Sequence, residues 1–272
     1  MISEMKITVI VPTYKPQAYL WECLDSIYNQ TLPKSDYELV LVLNGCNEPY
    51  NTRILDWLSK HKDLNVQFFQ TDMGGVSNAR NIALDNAKGE YVTFIDDDDL
   101  ISTAYLKELY EKATPDTVSL CYPYAFNDGD LGEQLPYRIT DAYDYCIKNK
   151  CMDISSKARK FFSGPCMKLI PLDFIQNRRF DKRFKNGEDS LFMFLISDRI
   201  HNVAFTSKNA VYYRRYRKES ASMSKKGVWI VLRNQLKMIK EYSLMFCCHP
   251  LKYNFNFYLT RIIGAVRTIF IG

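Results

Sequence analysis

The fold of this chain is indicated by residues 89–100, which read GEYVTFIDDDDL. Mostly aromatic and β-branched residues, from Tyr91 to Ile95, run without polar alternation into four consecutive aspartates, Asp96 to Asp99. An apolar run of this kind predicts a strand buried on both faces of a mostly parallel sheet. The aspartates then lie at the carboxyl end of that strand, where open α/β sheets bind their ligands.

The four adjacent carboxylates repel one another, so leaving them unpaired would be costly. A hard cation would remove that cost, since Mg²⁺ is held by one or two carboxylates together with substrate phosphates. The alternative is helix capping, in which aspartates stabilise the N-terminus of a helix over 100–113. Capping accounts for Asp99 and one neighbour but not for four aspartates, so the sequence favours a metal and diphosphate site.

The first hundred residues show the β-α-β-α-β-α-β pattern of a doubly wound parallel sheet. Strands are predicted at 6–11, 38–43 and 66–69 and helices over 18–30, 52–60 and 76–87, with Gly89 expected to end the third helix. The chain contains neither G-x-G-x-x-G nor G-x-x-x-x-G-K-[ST], so dinucleotide and P-loop chemistry are not indicated.

The second part of the chain is less regular. Strands are predicted at 117–124, 203–205 and 210–213, and helices at 191–196 and 228–246. Two acids, Glu188 and Asp189, stand at the start of the first of these helices. From their position alone, capping and a functional role are equally supported.

Composition indicates a soluble globular protein kept in the cytoplasm. The 272 residues are 47% hydrophobic and 25% charged, with no apolar run long enough to span a bilayer and no signal-peptide pattern at the start. The eight cysteines show no C-x-x-C spacing, which favours free thiols over a zinc site or disulfides.

Charge is distributed unevenly along the chain. Residues 214–272 carry 12 Lys and Arg against two Glu, whereas the first 213 carry 24 basic and 29 acidic side chains. A basic tail behind an acidic body suggests that the tail meets something anionic. Nucleic acid is the weakest choice, because no recognised binding module accompanies the charge.

Four motifs in order resemble those of family 2 glycosyltransferases, which have the GT-A fold. They are VIVPTY at 9–14, GGVSNARN at 74–81, FIDDDD at 94–99 and NGED at 186–189. The resemblance covers about residues 5–224. It implies a GT-A domain over 1–224, with a nucleotide-binding half at 1–100 and an acceptor half at 101–224. Residues 225–272 then form a basic helical C-terminal extension.

The resemblance implies an inverting, metal-dependent transfer of a sugar from a nucleotide-diphospho-sugar to a hydroxyl of a glycan or lipid-linked acceptor. A UDP-sugar is the expected donor, with Mg²⁺ or Mn²⁺ as cofactor and bacterial surface polysaccharide as the expected product. Asp98 and Asp96 would hold the metal. The implied donor-binding residues are Pro12, Thr13, Tyr14, Asn44, Arg80, Asp96, Asp97, Arg217 and Ser220.

By the same resemblance, Asp189 is the general base, which accepts the proton of the attacking hydroxyl. Glu188 and Lys168 are the implied acceptor-binding residues, although a structural role for Lys168 is equally supported. Two departures from the family pattern stand out. The basic loop at 214–222 lacks the histidine that many members use as a metal ligand, and Leu43 and Asn44 stand where relatives usually carry an acidic residue that contacts uracil.

Two other functions remain open at this point. A nucleotidyltransferase acting on sugar phosphates shares strand-end acids and a metal, but usually carries a Gly-rich basic loop that Pro12-Thr13-Tyr14-Lys15 does not resemble. A noncatalytic nucleotide-sugar binding protein would not need an acid at Asp189. A measurement of donor turnover in the presence of acceptor distinguishes such a binding protein from an enzyme.

The tail from Tyr253 to Ile271 alternates large apolar residues with Arg261 and Arg267. This composition suits an interfacial helix, which would dock the protein on the inner face of the cell membrane. Packing of the helix on the catalytic domain, or on a second subunit in a homodimer, is the equally supported alternative.

Overall fold

A computed structural model describes residues 5–217 and 227–271 of the chain. Its centre is a seven-stranded sheet in the order β10-β6-β9-β4-β1-β2-β3. The first four strands run parallel and lie side by side; they are β1 (Ile7–Thr13), β2 (Tyr37–Asn44), β3 (Asn65–Thr71) and β4 (Tyr91–Phe94). Every residue of β1, β2 and β4 is buried, as the predicted two-sided burial requires.

The helices between these strands are the predicted ones, with small shifts at their ends. They are α1 (Tyr19–Tyr28), α2 (Tyr50–Lys60) and α3 (Val76–Asn86). The prediction that Gly89 ends α3 is wrong, because the helix already ends before Ala87. Gly89 instead lies against β1, where an added Cβ would stand 2.5 Å from the Thr8 backbone nitrogen. Glycine is therefore required by a close approach of two backbones.

Strands from residues 101–217 add a mixed edge to the sheet. β9 (Lys168–Pro171) pairs antiparallel with both β4 and β6 (Thr117–Leu120), and β10 (Asn202–Phe205) pairs parallel with β6. A second sheet has the order β5-β11-β7-β8; its strands are β5 (Leu100–Ile101), β7 (Tyr122–Asn127), β8 (Asp130–Leu135) and β11 (Val211–Tyr216).

The single strand predicted at 117–124 is wrong, because the chain changes sheets there. Cys121 donates its backbone N–H to Met167 at the end of the first sheet, and Tyr122 donates to Ala210 of the second. The chain thereby passes from the first sheet into the second.

The α-helices between β5 and β10 are α4 (Tyr105–Lys112), α5 (Arg138–Lys148), α6 (Leu172–Ile175) and α7 (Glu188–Leu195).

The C-terminal extension consists of α8 (Val228–Cys248) and α9 (Phe255–Ile271). One face of α9 packs on the rest of the chain: Phe257 is fully buried, with its ring 5.7 Å from that of Phe194 in α7 and 6.4 Å from that of Phe162. The opposite face leaves apolar side chains in solvent, namely Phe255, Leu259, Ile263, Val266 and Phe270. Residue 224, the predicted end of the catalytic domain, lies outside the described residues.

In the described ranges, none of the helices combines the length and the apolar character that crossing a bilayer demands.

Candidate active site

The carboxyl ends of β1, β2 and β4 surround a cavity of about 560 Å³, here called the Asp98 cavity. Parallel strands end at the same edge of a sheet, so motifs far apart in sequence meet there. Of the predicted donor and metal residues, eight line this cavity: Pro12, Thr13, Tyr14, Asn44, Asp96, Asp97, Asp98 and Arg217. Ser220 lies outside the described residues.

The four aspartates after β4 face different partners. Asp97 accepts a 2.5 Å hydrogen bond from the Thr13 hydroxyl, and Asp98 is paired with Arg217, whose Nε lies 2.7 Å from its Oδ2. Asp99 turns away from the cavity and accepts from the Tyr212 hydroxyl at 2.7 Å.

The capping alternative is wrong, because β5 follows the aspartates and α4 begins only at Tyr105 with an uncapped N-terminus. Asp99 instead ties β4 to the second sheet, since it also accepts the backbone N–H of Arg215. The other three aspartates, Asp96, Asp97 and Asp98, line the Asp98 cavity.

Burial and mutual repulsion act on these carboxylates even though Asp96 and Asp98 each have an arginine partner. Burial raises the pKa of Asp97 to about 7, and burial followed by the charge of Asp96 raises the pKa of Asp98. Such mutual repulsion fits a bound cation. No set of three or more acidic, His or Cys side chains in the described ranges is arranged around a metal. Asp96 and Asp98 would therefore hold Mg²⁺ or Mn²⁺ together with a diphosphate and water, as Mg²⁺ sites commonly do.

Arg217 supplies the nearest positive charge to Asp98 in this structure. Its Nη2 lies 2.5 Å from Asp98 Oδ2, and its guanidinium carbon lies 4.3 Å from the centre of the Tyr19 ring. A guanidinium so placed can cover a diphosphate as well as a carboxylate.

Asn44, in contrast, has both ends of its amide occupied. It donates to the Thr13 carbonyl at 2.7 Å and accepts the Gly75 N–H at 2.9 Å. Its side chain therefore holds two loops of the Asp98 cavity together.

Asp189 lies in the first turn of α7 and is reached by Arg80 from α3. Arg80 places Nη1 2.5 Å from Asp189 Oδ1 and Nη2 2.9 Å from Asp96 Oδ1, so one buried guanidinium joins carboxylates 93 residues apart in the sequence. Its Nε is buried without a hydrogen-bond partner. In this structure Arg80 therefore bridges two carboxylates and does not line the Asp98 cavity.

A second cavity of about 510 Å³, the Asp189 cavity, adjoins the first. Asp96 lines both cavities, whereas Asp189 lines only the second. Burial raises the pKa of Asp189, and the charge of Arg80 lowers it. Arg80 thus offsets part of the cost of keeping this carboxylate ionised.

Lys168 and Glu188 lie beside the Asp189 cavity. The ammonium of Lys168 is fully buried and donates to the carbonyls of Gly164 and Cys166 at 2.6 and 2.5 Å, and burial lowers the pKa of Lys168 to about 8. Because Gly164 and Cys166 line the cavity, Lys168 shapes its wall through them. Glu188 is buried, and its Oε2 has no hydrogen-bond partner.

Comparison with known protein families identifies the family of this chain. Residues 8–177, more than half of the chain, match the family described as glycosyl transferase family 2. The chain belongs to this family. The match ends before Asp189, so the family assignment is independent of the predicted base.

Two curated relatives of this family 2 chain are named for teichoic acid or for poly(ribitol-phosphate). It is 27% identical to the minor teichoic acid biosynthesis protein GgaB of Bacillus subtilis over 218 residues, which are 79% of this chain and 23% of GgaB. Over 104 residues, 38% of this chain, it is 38% identical to the poly(ribitol-phosphate) β-N-acetylglucosaminyltransferase TarS of Staphylococcus aureus, of which it covers 18%. The chain therefore spans less than a quarter of either relative.

Solved structures show the same fold, the GT-A fold. S. aureus TarS 1–349 in complex with UDP-GlcNAc superposes with a TM-score of 0.71 at 24% identity, covering 98% of this chain and 73% of that one. A Pyrobaculum calidifontis mannosyltransferase in complex with GDP-Man and Mn²⁺ gives 0.64 at 19% identity, covering 98% and 70%.

Sequence reasoning missed several residues of the family 2 site. Asp72 lines the Asp98 cavity directly after β3. The rule that strand ends form the ligand site could have found it. Arg138 and Arg214 also line the Asp189 cavity. Arg214 belongs to the basic loop at 214–222 but was not singled out within it, and no local pattern marks Arg138.

Proposed function

We propose that this chain is an inverting glycosyltransferase that uses a nucleotide-diphospho-sugar and a divalent metal. The observation that carries the proposal is that Asp96 lines both cavities while Arg80 joins it to Asp189. A sugar whose diphosphate lies at Asp98 then meets an acceptor hydroxyl at Asp189. The family match favours this transfer over nucleotidyl transfer.

In the proposed reaction the Asp189 carboxylate takes the proton of the acceptor hydroxyl. The acceptor oxygen attacks the anomeric carbon from the face opposite the diphosphate, and the bond from that carbon to the diphosphate oxygen breaks. Asp96 and Asp98 would hold Mg²⁺ or Mn²⁺, which neutralises charge on the departing diphosphate. Arg217, already beside Asp98, would cover the same group from the other side.

For the donor we propose a UDP-sugar, by likeness to the TarS structure that contains UDP-GlcNAc. Tyr14 is half exposed at the Asp98 cavity and offers an aromatic face to a base. The neighbouring Asp72 carboxylate is an acceptor for a base N–H, a role that Leu43 cannot fill. Pro12, Thr13 and Asn44 complete this wall of the cavity.

Thermal unfolding with UDP-, GDP-, CMP- and dTDP-sugars, each with and without Mn²⁺, tests the site. At about 100-fold excess over its Kd, the donor is expected to raise the Tm by about 5 °C, and only with Mn²⁺. Asp98→Asn should abolish this rise, while Asp56→Asn, which neutralises an exposed aspartate of α2, should retain it. A metal-dependent rise that survives in Asp98→Asn would contradict the proposed metal site. Donor binding without any turnover would instead support the noncatalytic alternative.

The acceptor is proposed to be a hydroxyl of a glycan or a lipid-linked glycan of the bacterial surface. The support comes from relatives: besides GgaB and TarS, the chain is 26% identical, over 87% of its length, to a Campylobacter jejuni glucosyltransferase named for a diphospho-undecaprenol-linked substrate.

For the exposed face of α9 we propose docking on the inner face of the cell membrane. Phe255, Leu259 and Phe270 are 58%, 40% and 83% exposed although all are large and apolar. The full chain is expected to float with vesicles containing anionic phospholipid, and a triple change of these residues to Glu should remove most of the bound protein. A matched triple change at Leu55, Leu131 and Met152, also exposed, should not. Absence of flotation together with a dimer in sedimentation would support the second-subunit alternative and contradict docking.

A further inference from the structure

A third cavity, of about 770 Å³, lies between the C-terminal extension and the catalytic domain. It is lined by α8 and α9 on one side and by Arg138, Gly187 and Ser190 on the other. Three of its lining residues are arginines, Arg138, Arg261 and Arg267, and none is acidic. We call it the arginine cavity.

Each of the three arginines is without an acidic partner in the part of the chain that the structure describes. No ion pair joins any of them to a carboxylate in the described ranges. Arg261 donates Nη2 to the Phe162 carbonyl at 2.6 Å, and its Nε is buried without any partner. Burial lowers the pKa of Arg261 to about 10, and the charge of Arg138 acts in the same direction. The largely buried Arg261 guanidinium, next to the charge of Arg138, is costly unless an anion joins it, whereas Arg138 and Arg267 are exposed and accessible to such an anion.

The arginine cavity is continuous with the proposed reaction site. Arg138 lines both the arginine cavity and the Asp189 cavity. Arg261 also contacts Ser163 Oγ, at 3.4 Å, and Ser163 lines the Asp189 cavity. On the same wall, Gly187 and Ser190 flank the Glu188–Asp189 pair in the sequence and line the arginine cavity.

The N-terminus of α5 adds to the positive potential at this junction. Arg138 is the first residue of α5, and Tyr137 before it makes no side-chain cap. Helix N-termini carry unsatisfied N–H groups and a partial positive charge that favour anions. Residues 136–139 all line the Asp189 cavity, so this helix end faces the place where the acceptor would lie.

We propose that the arginine cavity binds a phosphate group carried by the acceptor. This inference rests on the proposed function, because it places the acceptor hydroxyl at Asp189. The donor diphosphate is assigned to the opposite side, at Asp98 and Arg217, so the anion at Arg138 belongs to the other substrate. Each guanidinium can donate two parallel hydrogen bonds to two oxygens of one phosphate. Phosphate is therefore the anion that fits three guanidinium groups best.

Equilibrium binding of fluorescently tagged probes to the full chain tests this proposal. The probes are a trimer of glycerol units joined by phosphodiesters, a short-chain prenyl diphosphate sugar, an uncharged trisaccharide and a glucuronate trisaccharide. We expect at least one phosphate probe to bind about tenfold more tightly than the uncharged one. Comparing the affinity for the phosphodiester probe with that for the prenyl diphosphate probe shows whether the phosphate comes from a polymer or from a lipid carrier.

Arg138→Gln and Arg261→Gln should each remove most of the preference for phosphate. Arg233→Gln, which deletes an exposed arginine of α8 outside the arginine cavity, should leave it unchanged. Arg138 is exposed, and its side chain makes no hydrogen bond or ion pair with another described residue, so Arg138→Gln remains decisive if Arg261→Gln fails to fold.

Equal binding of the phosphate and uncharged probes would overturn the proposal. So would a loss of phosphate preference in Arg233→Gln as large as that in Arg138→Gln and Arg261→Gln. Glucuronate binding as tight as phosphate binding would overturn the assignment to phosphate. The metal-dependent rise in Tm with donor serves as the separate check on the proposed function. If that rise occurs without any phosphate preference, only the present inference fails.

Discussion

Asp189→Asn is expected to lower kcat about a thousandfold, because general-base catalysis contributes on the order of 10²–10⁴ to such rates. Asparagine keeps the shape of the side chain but cannot accept the hydroxyl proton at neutral pH. Donor binding should be nearly unchanged, since Asp189 lines the Asp189 cavity and not the Asp98 cavity. The fall in kcat is measured by the release of nucleoside diphosphate in the presence of acceptor. Donor binding is measured by the donor-induced rise in Tm.

The matched control for this substitution is Asp173→Asn. Asp173 has a 73% exposed side chain that contacts only surface groups, Arg199 at 3.4 Å and the Gln176 amide at 3.1 Å, among the described residues, so its change should leave kcat within about twofold. If Asp189→Asn keeps more than about a tenth of the wild-type kcat, then Asp189 is not the base. In that case Glu188, buried beside it with one oxygen unpartnered, is the next carboxylate to test.

Arg80→Met is expected to reduce both stability and activity. The side chain of Arg80 is only 3% exposed and serves two carboxylates, which are 42% and 31% exposed and so partly solvated without it. We expect a loss of about 2 kcal/mol in the free energy of unfolding, below the usual cost of breaking a fully buried pair. Activity should fall about a hundredfold, because Asp189 loses the contact that positions it.

The pH profile separates positioning by Arg80 from a merely structural role. Arg80 lowers the pKa of Asp189, so its removal should raise that pKa. The deprotonated form of Asp189 then appears only at higher pH. The acid limb of the pH profile of kcat/KM, where activity rises as Asp189 loses its proton, should therefore shift to higher pH. Arg80→Lys keeps the positive charge but cannot span both carboxylates, so it should shift the acid limb of the pH profile less than Arg80→Met does.

The control is Arg179→Met, which breaks a surface pair with Asp85 and should cost at most about 1 kcal/mol. An unchanged acid limb in Arg80→Met would show that Arg80 acts on stability alone.

Much of the fold follows from local sequence patterns. The continuous apolar runs of β1, β2 and β4 predict buried parallel strands, and the strand-end rule places Thr13, Asn44 and the aspartates together. These features depend on burial and backbone geometry within a few residues, so a single sequence suffices to predict them. The family motifs extend the same prediction to Asp189.

The individual roles within the site depend on contacts between distant parts of the chain. Nothing near Asp99 indicates that it faces Tyr212, 113 residues later, or that Arg80 spans Asp96 and Asp189. The arginine cavity arises in the same way, because Arg138 in α5 meets Arg261 only after α9 packs through Phe257.

Local hydrophobic periodicity is therefore enough to predict the parallel sheet and the helical extension, and the carboxylates at its strand ends are read directly from the sequence. Only the folded chain shows which carboxylate pairs with which cation, and which arginines have no carboxylate partner among the described residues. Ion pairs form between side chains that packing brings together. Their sequence separation carries no periodic signal.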